Sequence, residues 1–206
     1  MANTDATSID FQALPKISLH DHLDGGLRPA TILEIADAEG VALPMDTETG
    51  AAIDDAGRLG QWFADQSDSG SLVEYLKTFD VTTAVMQSEA GLERIAREFV
   101  EDLVADGVVV GEIRWAPEQH VQGGLILDAA VEAVQAGIDG AVGAARKAGS
   151  VIYVGQLVTA MRHLDRSVEI AQLALRHRDK GVVGFDIAGP EQGFPPRRFV
   201  EAFDLL

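Results

Sequence analysis

Residues 91–115, GLERIAREFVEDLVADGVVVGEIRW, contain one complete helix-to-strand unit. Leu92, Ile95, Ala96, Phe99, Val100, Leu103 and Val104 recur at the spacing of a single apolar stripe, which predicts a helix from Gly91 to Asp106. Gly107 is its stop, since a residue without a Cβ enters the left-handed conformation that ends helices. Val108 to Trp115 then reads as a strand whose near-continuous apolar character suits burial on both faces of a parallel sheet. The pattern repeats outward. Leu127, Ala130, Val131, Val134, Ile138, Ala141 and Val142 form a second stripe, with Asp128 at its start and Gly149 after its end, followed by a strand over Val151 to Ala160. Further strands are predicted at Ile17 to His20 and Val182 to Ala188. Strands alternating with helices over short connections give an α/β fold with right-handed crossovers, either doubly wound or a (β/α)8 barrel. Residues 41–70 are acidic and rich in Gly, Ser and Asp, and read as a surface excursion with a short helix.

The composition narrows the function. The 206 residues are 47% apolar and 24% charged, an ordinary globular balance. Sixteen Lys and Arg against 33 Asp and Glu give a net charge of −17, which excludes nucleic acid and anionic membrane surfaces as expected partners. With no Cys, any metal must be held by His and carboxylates. The first sixteen residues carry no signal-peptide pattern and no apolar run is long enough to span a bilayer, so a cytoplasmic protein is expected. GxGxxG, GxxxxGK[ST] and GxSxG motifs are all absent.

His20 and His22 lie at the carboxyl end of the first strand, in ISLHDHLDG. On a regular strand i and i+2 share a face, so the two imidazoles converge on one metal ion or are simply two partly buried histidines. Asp24-Gly25-Gly26 supplies a polar turn beside them, where ligands of parallel α/β folds bind. Leu72, Tyr75, Leu76 and Phe79 share one helical face, that of a lid or of ordinary core. Glu112 and Arg114 share a face of the second strand, as a pair inside a barrel mouth or a solvated pair. His120 and His177 read as surface residues.

PKISLHDHLDGGLRPATILEIA, residues 15–36, resembles the opening signature of the adenosine deaminase family, and SLVEYLKTFD, TAMRH and GFDIAGPE resemble later segments in the same order. The resemblance runs from Leu14 onward and selects the (β/α)8 TIM-barrel type, present here as a partial barrel of about four strands. It implies hydrolytic removal of the 6-amino group of adenosine by zinc-activated water, giving inosine and ammonia. His20 and His22 match the first two ligands of one Zn2+ ion. Asp24 matches the acceptor of the ribose 5′-hydroxyl, and Gly189 the glycine whose N–H meets purine N3. Leu72, Tyr75, Leu76 and Phe79 match the hydrophobic lid, and His163 and Asp186 are candidates for orienting metal or substrate. Leu23-Asp24-Gly25, where adenine deaminases tend to carry IEG, favours a ribose-bearing substrate. Pro190 departs from the polar residue common at its place.

The family's HAGE segment, later His and aspartate pair have no counterpart in the chain. Phe199, Val200, Phe203 and Leu206 form the apolar face of a helix entered at Pro195-Pro196. The expectation is therefore that residues 1–206 are the amino-terminal part of a single truncated barrel domain, inactive alone and prone to self-association. The alternatives are a half-barrel without catalysis and a deaminase of a related amino-purine nucleoside.

Overall fold

The computed structural model describes residues 10, 11 and 14–206, and for residues 72–74 the backbone alone. Four parallel strands, β1 (Lys16–His22), β2 (Val108–Trp115), β3 (Tyr153–Met161) and β4 (Val182–Ala188), lie side by side in chain order. Helices α1 (Pro29–Glu39), α2 (Ala56–Ser67), α3 (Leu72–Ala84) and α4 (Glu89–Ala105) connect β1 to β2. Helix α5 (Leu127–Lys147) connects β2 to β3, α6 (Ser167–His177) connects β3 to β4, and α7 (Val200–Asp204) follows. Consecutive right-handed crossovers in an unbroken strand order place the connecting helices on one face, which is the winding of a barrel and not of a doubly wound sheet.

Burial agrees with that winding. Ile113, Trp115, Val158 and Ala160 face the helices and are fully buried. Ile17, Leu19 and Tyr153, on the opposite face, remain more than 60% exposed. Strands β2 and β4 have the limits expected from their composition. β3 starts two residues later, at Tyr153, and β1 runs on through His22.

The helical layer is tightest where α4 meets α5. A Cβ added at Gly137 would fall on the carbonyl oxygen of Glu93 and lie 2.9 Å from the Cβ of Ala96, so the two backbones approach as only glycine permits. Helix α4 begins where the Ser88 hydroxyl accepts the Gly91 N–H at 3.1 Å, an N-cap. The excursion over residues 41–70 is anchored more firmly than its composition suggests: α2 buries Leu59 completely, and Ile53 ahead of it is 3% exposed. The amphipathic helix expected after Pro195 is instead a 3-10 turn, Pro196–Phe199, followed by α7, with Phe199 buried and Phe203 set edge-on against Phe185 at 5.4 Å. No helix among the described residues is long and apolar enough to cross a membrane.

Candidate active site

At the carboxyl ends of the strands a cavity of about 530 Å³ is lined by His20, His22, Asp24, Tyr75, Leu76, Phe79, Arg114, Asp186 and Gly189. β1 delivers its two histidines through a distortion. Ser18 is in register with Gly111, but Asp21 is in register with Ile113, so β1 spends one more residue than β2 over that interval. His20 takes up the extra residue at φ 55°, a left-handed conformation uncommon for a residue with a Cβ. Its N–H, freed from the ladder, donates to Glu112 Oε1 at 3.0 Å. Regular alternation would have put both histidines opposite Ile17 and Leu19, on the helix-covered face. The bulge instead sets His22 beside Arg114 on the open face, which corrects the argument from i, i+2 spacing while keeping the pair together.

The ring centroids of His20 and His22 are 5.6 Å apart. Two imidazoles ligating one zinc through nitrogens at about 2.0–2.1 Å would have centroids roughly 5 to 6 Å apart, so the pair fits a shared ion. Asp24, 6% exposed, places Oδ1 3.3 Å from His22 Nδ1. A carboxylate on Nδ1–H fixes the tautomer that leaves Nε2 as a lone pair. Arg114 Nη1 lies 3.4 and 3.2 Å from the two nitrogens of His22. In the ring plane those distances would force it onto the carbon between them, so the guanidinium sits over the ring face and uses neither lone pair. Among the described residues no three His, Asp or Glu side chains are grouped as a metal site.

Arg114 is buried and ties the layer together. Its Nε is 3.4 Å from Asp186 Oδ2, and Asp186 Oδ1 accepts from the Thr159 hydroxyl. His20 Nε2 is 3.8 Å from the same Asp186 Oδ2. Glu112 and Arg114 are thus partners of other groups, Glu112 of the His20 backbone and Arg114 of Asp186. Gly189 has φ +94°, and a Cβ there would lie 3.3 Å from His163 Nδ1 and 3.4 Å from Met161 Cε. His163 itself is exposed and backs this glycine without lining the cavity. Tyr75 and Phe79 meet edge-on at 5.4 Å, and Leu76 is half exposed, so this part of the stripe faces the cavity as a lid would. The side chain of Leu72 lies outside the described residues.

Sequence reading missed Arg162. Its Nη2 pairs with Glu191 at 3.1 Å and its Nη1 donates to the Phe194 carbonyl at 3.3 Å, which staples the loop after β3 to the loop carrying Gly189. Its place next to His163 was the available signal. Two histidines read as surface residues are buried. His177 donates from Nε2 to Asp128 Oδ1 at 2.8 Å, and the pKa of Asp128 is lowered to about 2, chiefly by its hydrogen bond with Arg176. His120 is fully buried against Trp115, with Nδ1 3.2 Å from the Met86 carbonyl.

Burial lowers the His120 pKa from 6.5 to about 4. The folded state therefore keeps His120 neutral where the unfolded chain protonates, and stability rises with pH across that window. The contribution is fully present above pH 6.5 and is lost as pH falls toward 4, on the order of 3 kcal/mol in all. Urea midpoints from pH 4.5 to 7.5 should rise for the wild type and be flatter for His120→Gln. Parallel slopes would remove His120 as the cause.

The adenosine deaminase family model matches residues 15–206. Adenosine deaminase 1 of Streptomyces coelicolor is 54% identical over 192 residues, covering 93% of this chain and 47% of the relative. The adenosine deaminase of Mycolicibacterium gilvum is 53% identical over 204 residues, 98% of this chain and 54% of the relative. The chain thus spans about half the length of the curated relatives it matches. Among solved structures, the N6-mAMP deaminase of Arabidopsis superposes with a TM-score of 0.73 at 31% identity, covering 94% of this chain and 57% of that one. An amidohydrolase from Burkholderia ambifaria solved with bound Zn gives 0.73 at 26% identity, with 97% and 53% covered. The matched residues include all four strands and every cavity residue named above, and the chain belongs to the adenosine deaminase family.

Proposed function

We propose that this chain supplies the metal-binding and sugar-binding half of an enzyme that hydrolyses the 6-amino group of adenosine, giving inosine and ammonia. The observation that carries this reading is the convergence of His20, His22, Asp24 and Gly189, from two widely separated stretches of sequence, on one cavity at the strand ends. His20 and His22 would hold a zinc ion, which supplies activation of a water molecule when bound. Asp24 sets the tautomer of His22 from one oxygen and accepts the ribose 5′-hydroxyl at its carboxylate. The Gly189 N–H, in a segment held by Arg162, donates to the purine ring, and Tyr75, Leu76 and Phe79 shield the bound nucleoside from water. Asp186, fixed by Arg114 and Thr159, faces His20 and stabilises positive charge gathered there.

In a chain carried to the length of its relatives, Asp24→Ala should lower kcat/KM for adenosine about ten- to more than a hundredfold, the equivalent of about 1.5–3 kcal/mol for a hydrogen bond to a charged group. Asp24 also touches His22, so 5′-deoxyadenosine serves as the internal reference: a loss shared by both substrates belongs to His22, and the excess on adenosine belongs to the ribose. Equal losses would remove the ribose role.

A further inference from the structure

Behind the lid helix lies a second cavity of about 300 Å³ that shares Asp24, Tyr75 and Phe79 with the first. These three side chains are the partition between the two spaces. Leu27, Pro29, Gly60 and Phe63 make its apolar wall. Three of the hydroxyls that border it are already engaged: Thr78 donates to the Tyr75 carbonyl at 2.6 Å, Thr82 to the Phe79 carbonyl at 3.3 Å and Ser67 to the Phe63 carbonyl at 2.9 Å. Among the described residues, Asp24 is the one charged residue in the lining, which includes no Lys or Arg.

We propose that this second cavity receives the 5′ end of the bound nucleoside and accepts 5′ substituents made of an N–H donor followed by a small alkyl group. The inference rests on the assignment of Asp24 to the ribose 5′ position, which puts that end of the substrate at the partition. A secondary amine there is protonated at neutral pH and keeps both a donor and a positive charge for the Asp24 carboxylate, while its alkyl group meets the apolar wall. A 5′-phosphate brings negative charge against Asp24 with no cation among the described lining residues to receive it. The chemistry therefore selects cationic or neutral 5′-extended purine nucleosides and rejects nucleotides.

The test compares turnover of adenosine, 5′-deoxy-5′-(ethylamino)adenosine and AMP by a chain carried to the length of its relatives. The ethylamino compound should be deaminated with kcat/KM within about tenfold of adenosine, and AMP at least about a hundredfold more slowly. Gly60 lies in α2, and a Cβ there would be 3.6 Å from Pro29 Cγ, an ordinary contact, so Gly60→Leu fills the cavity from the helix side. It should lower the ratio of ethylamino compound to adenosine about tenfold or more. Phe63→Ala enlarges the same space and should move the preference toward a butylamino group. Adenosine turned over while the ethylamino compound fares no better than AMP, or ratios unmoved in both variants, would overturn the inference alone. Absence of adenosine turnover would overturn the proposed function, and this inference with it.

Discussion

Replacing His20 and His22 together by alanine, in a chain carried to the length of its relatives, is expected to take bound zinc from about one ion per chain to a trace and deamination down by about 10⁴-fold or more, a large part of an enzymatic acceleration that typically exceeds about 10⁶. Catalytic zinc sites keep three or so protein ligands, and removing two of them leaves no chelate. Metal content by mass spectrometry and inosine formation are read on the same sample. Stoichiometric zinc in the double variant would end the assignment. The single variants carry a second signature, because His20 is left-handed. His20→Gly abolishes the ligand yet suits the φ of 55°, so it should be more stable than His20→Ala by about 1 kcal/mol.

The largest effect on folding is expected at Gly137. Alanine in a helix interior is normally better than glycine by about 1 kcal/mol. At Gly140 and Gly143, where an added Cβ meets nothing within 4 Å, Gly→Ala should be stabilising by up to that amount. At Gly137 the same change drives a methyl group onto the Glu93 carbonyl and the Ala96 Cβ. Helices α4 and α5 must then separate, at a cost of about 2–4 kcal/mol. Urea midpoints of the three single variants give opposite signs along one helix, and a stabilised Gly137→Ala would mean that the helices can part freely.

What was legible in the sequence was whatever depends on neighbours along the chain. The stripes of α4 and α5, the stop at Gly107 and the limits of β2 and β4 follow from period and composition alone. The cavity residues were legible through a motif, and the spacing argument for His20 and His22 reached the right pair through the wrong geometry. In KISLHDH the alternation set by Ile17 and Leu19 lapses at Asp21, but three polar residues at a strand end do not announce that one of them is absorbed in a bulge held by Glu112, 92 residues away. The burial of His120 and His177 was hidden for the same reason. The Met86 carbonyl lies 34 residues before His120, and Asp128 lies 49 residues before His177. Arg114 was recognisable as a charge on a strand, but its partner depends on β4 lying two strands away, which only the assembled sheet defines.

The bulge also decides what can be borrowed from this strand. A designer who transplanted His-Asp-His onto a regular parallel strand at the sites following two inward apolar residues would obtain both imidazoles pressed into the helix layer. The transferable unit is longer: the strand from Ile17, a residue at position 20 able to hold a positive φ, and an acceptor on the adjacent strand at the height of Glu112. By the same reasoning, deleting one residue between Ile17 and His20 would remove the bulge and leave His22 beside Arg114, whereas straightening the strand at its full length would keep the ladder paired and still rotate the chemistry out of the cavity, producing a protein that folds and is blind to its ligand.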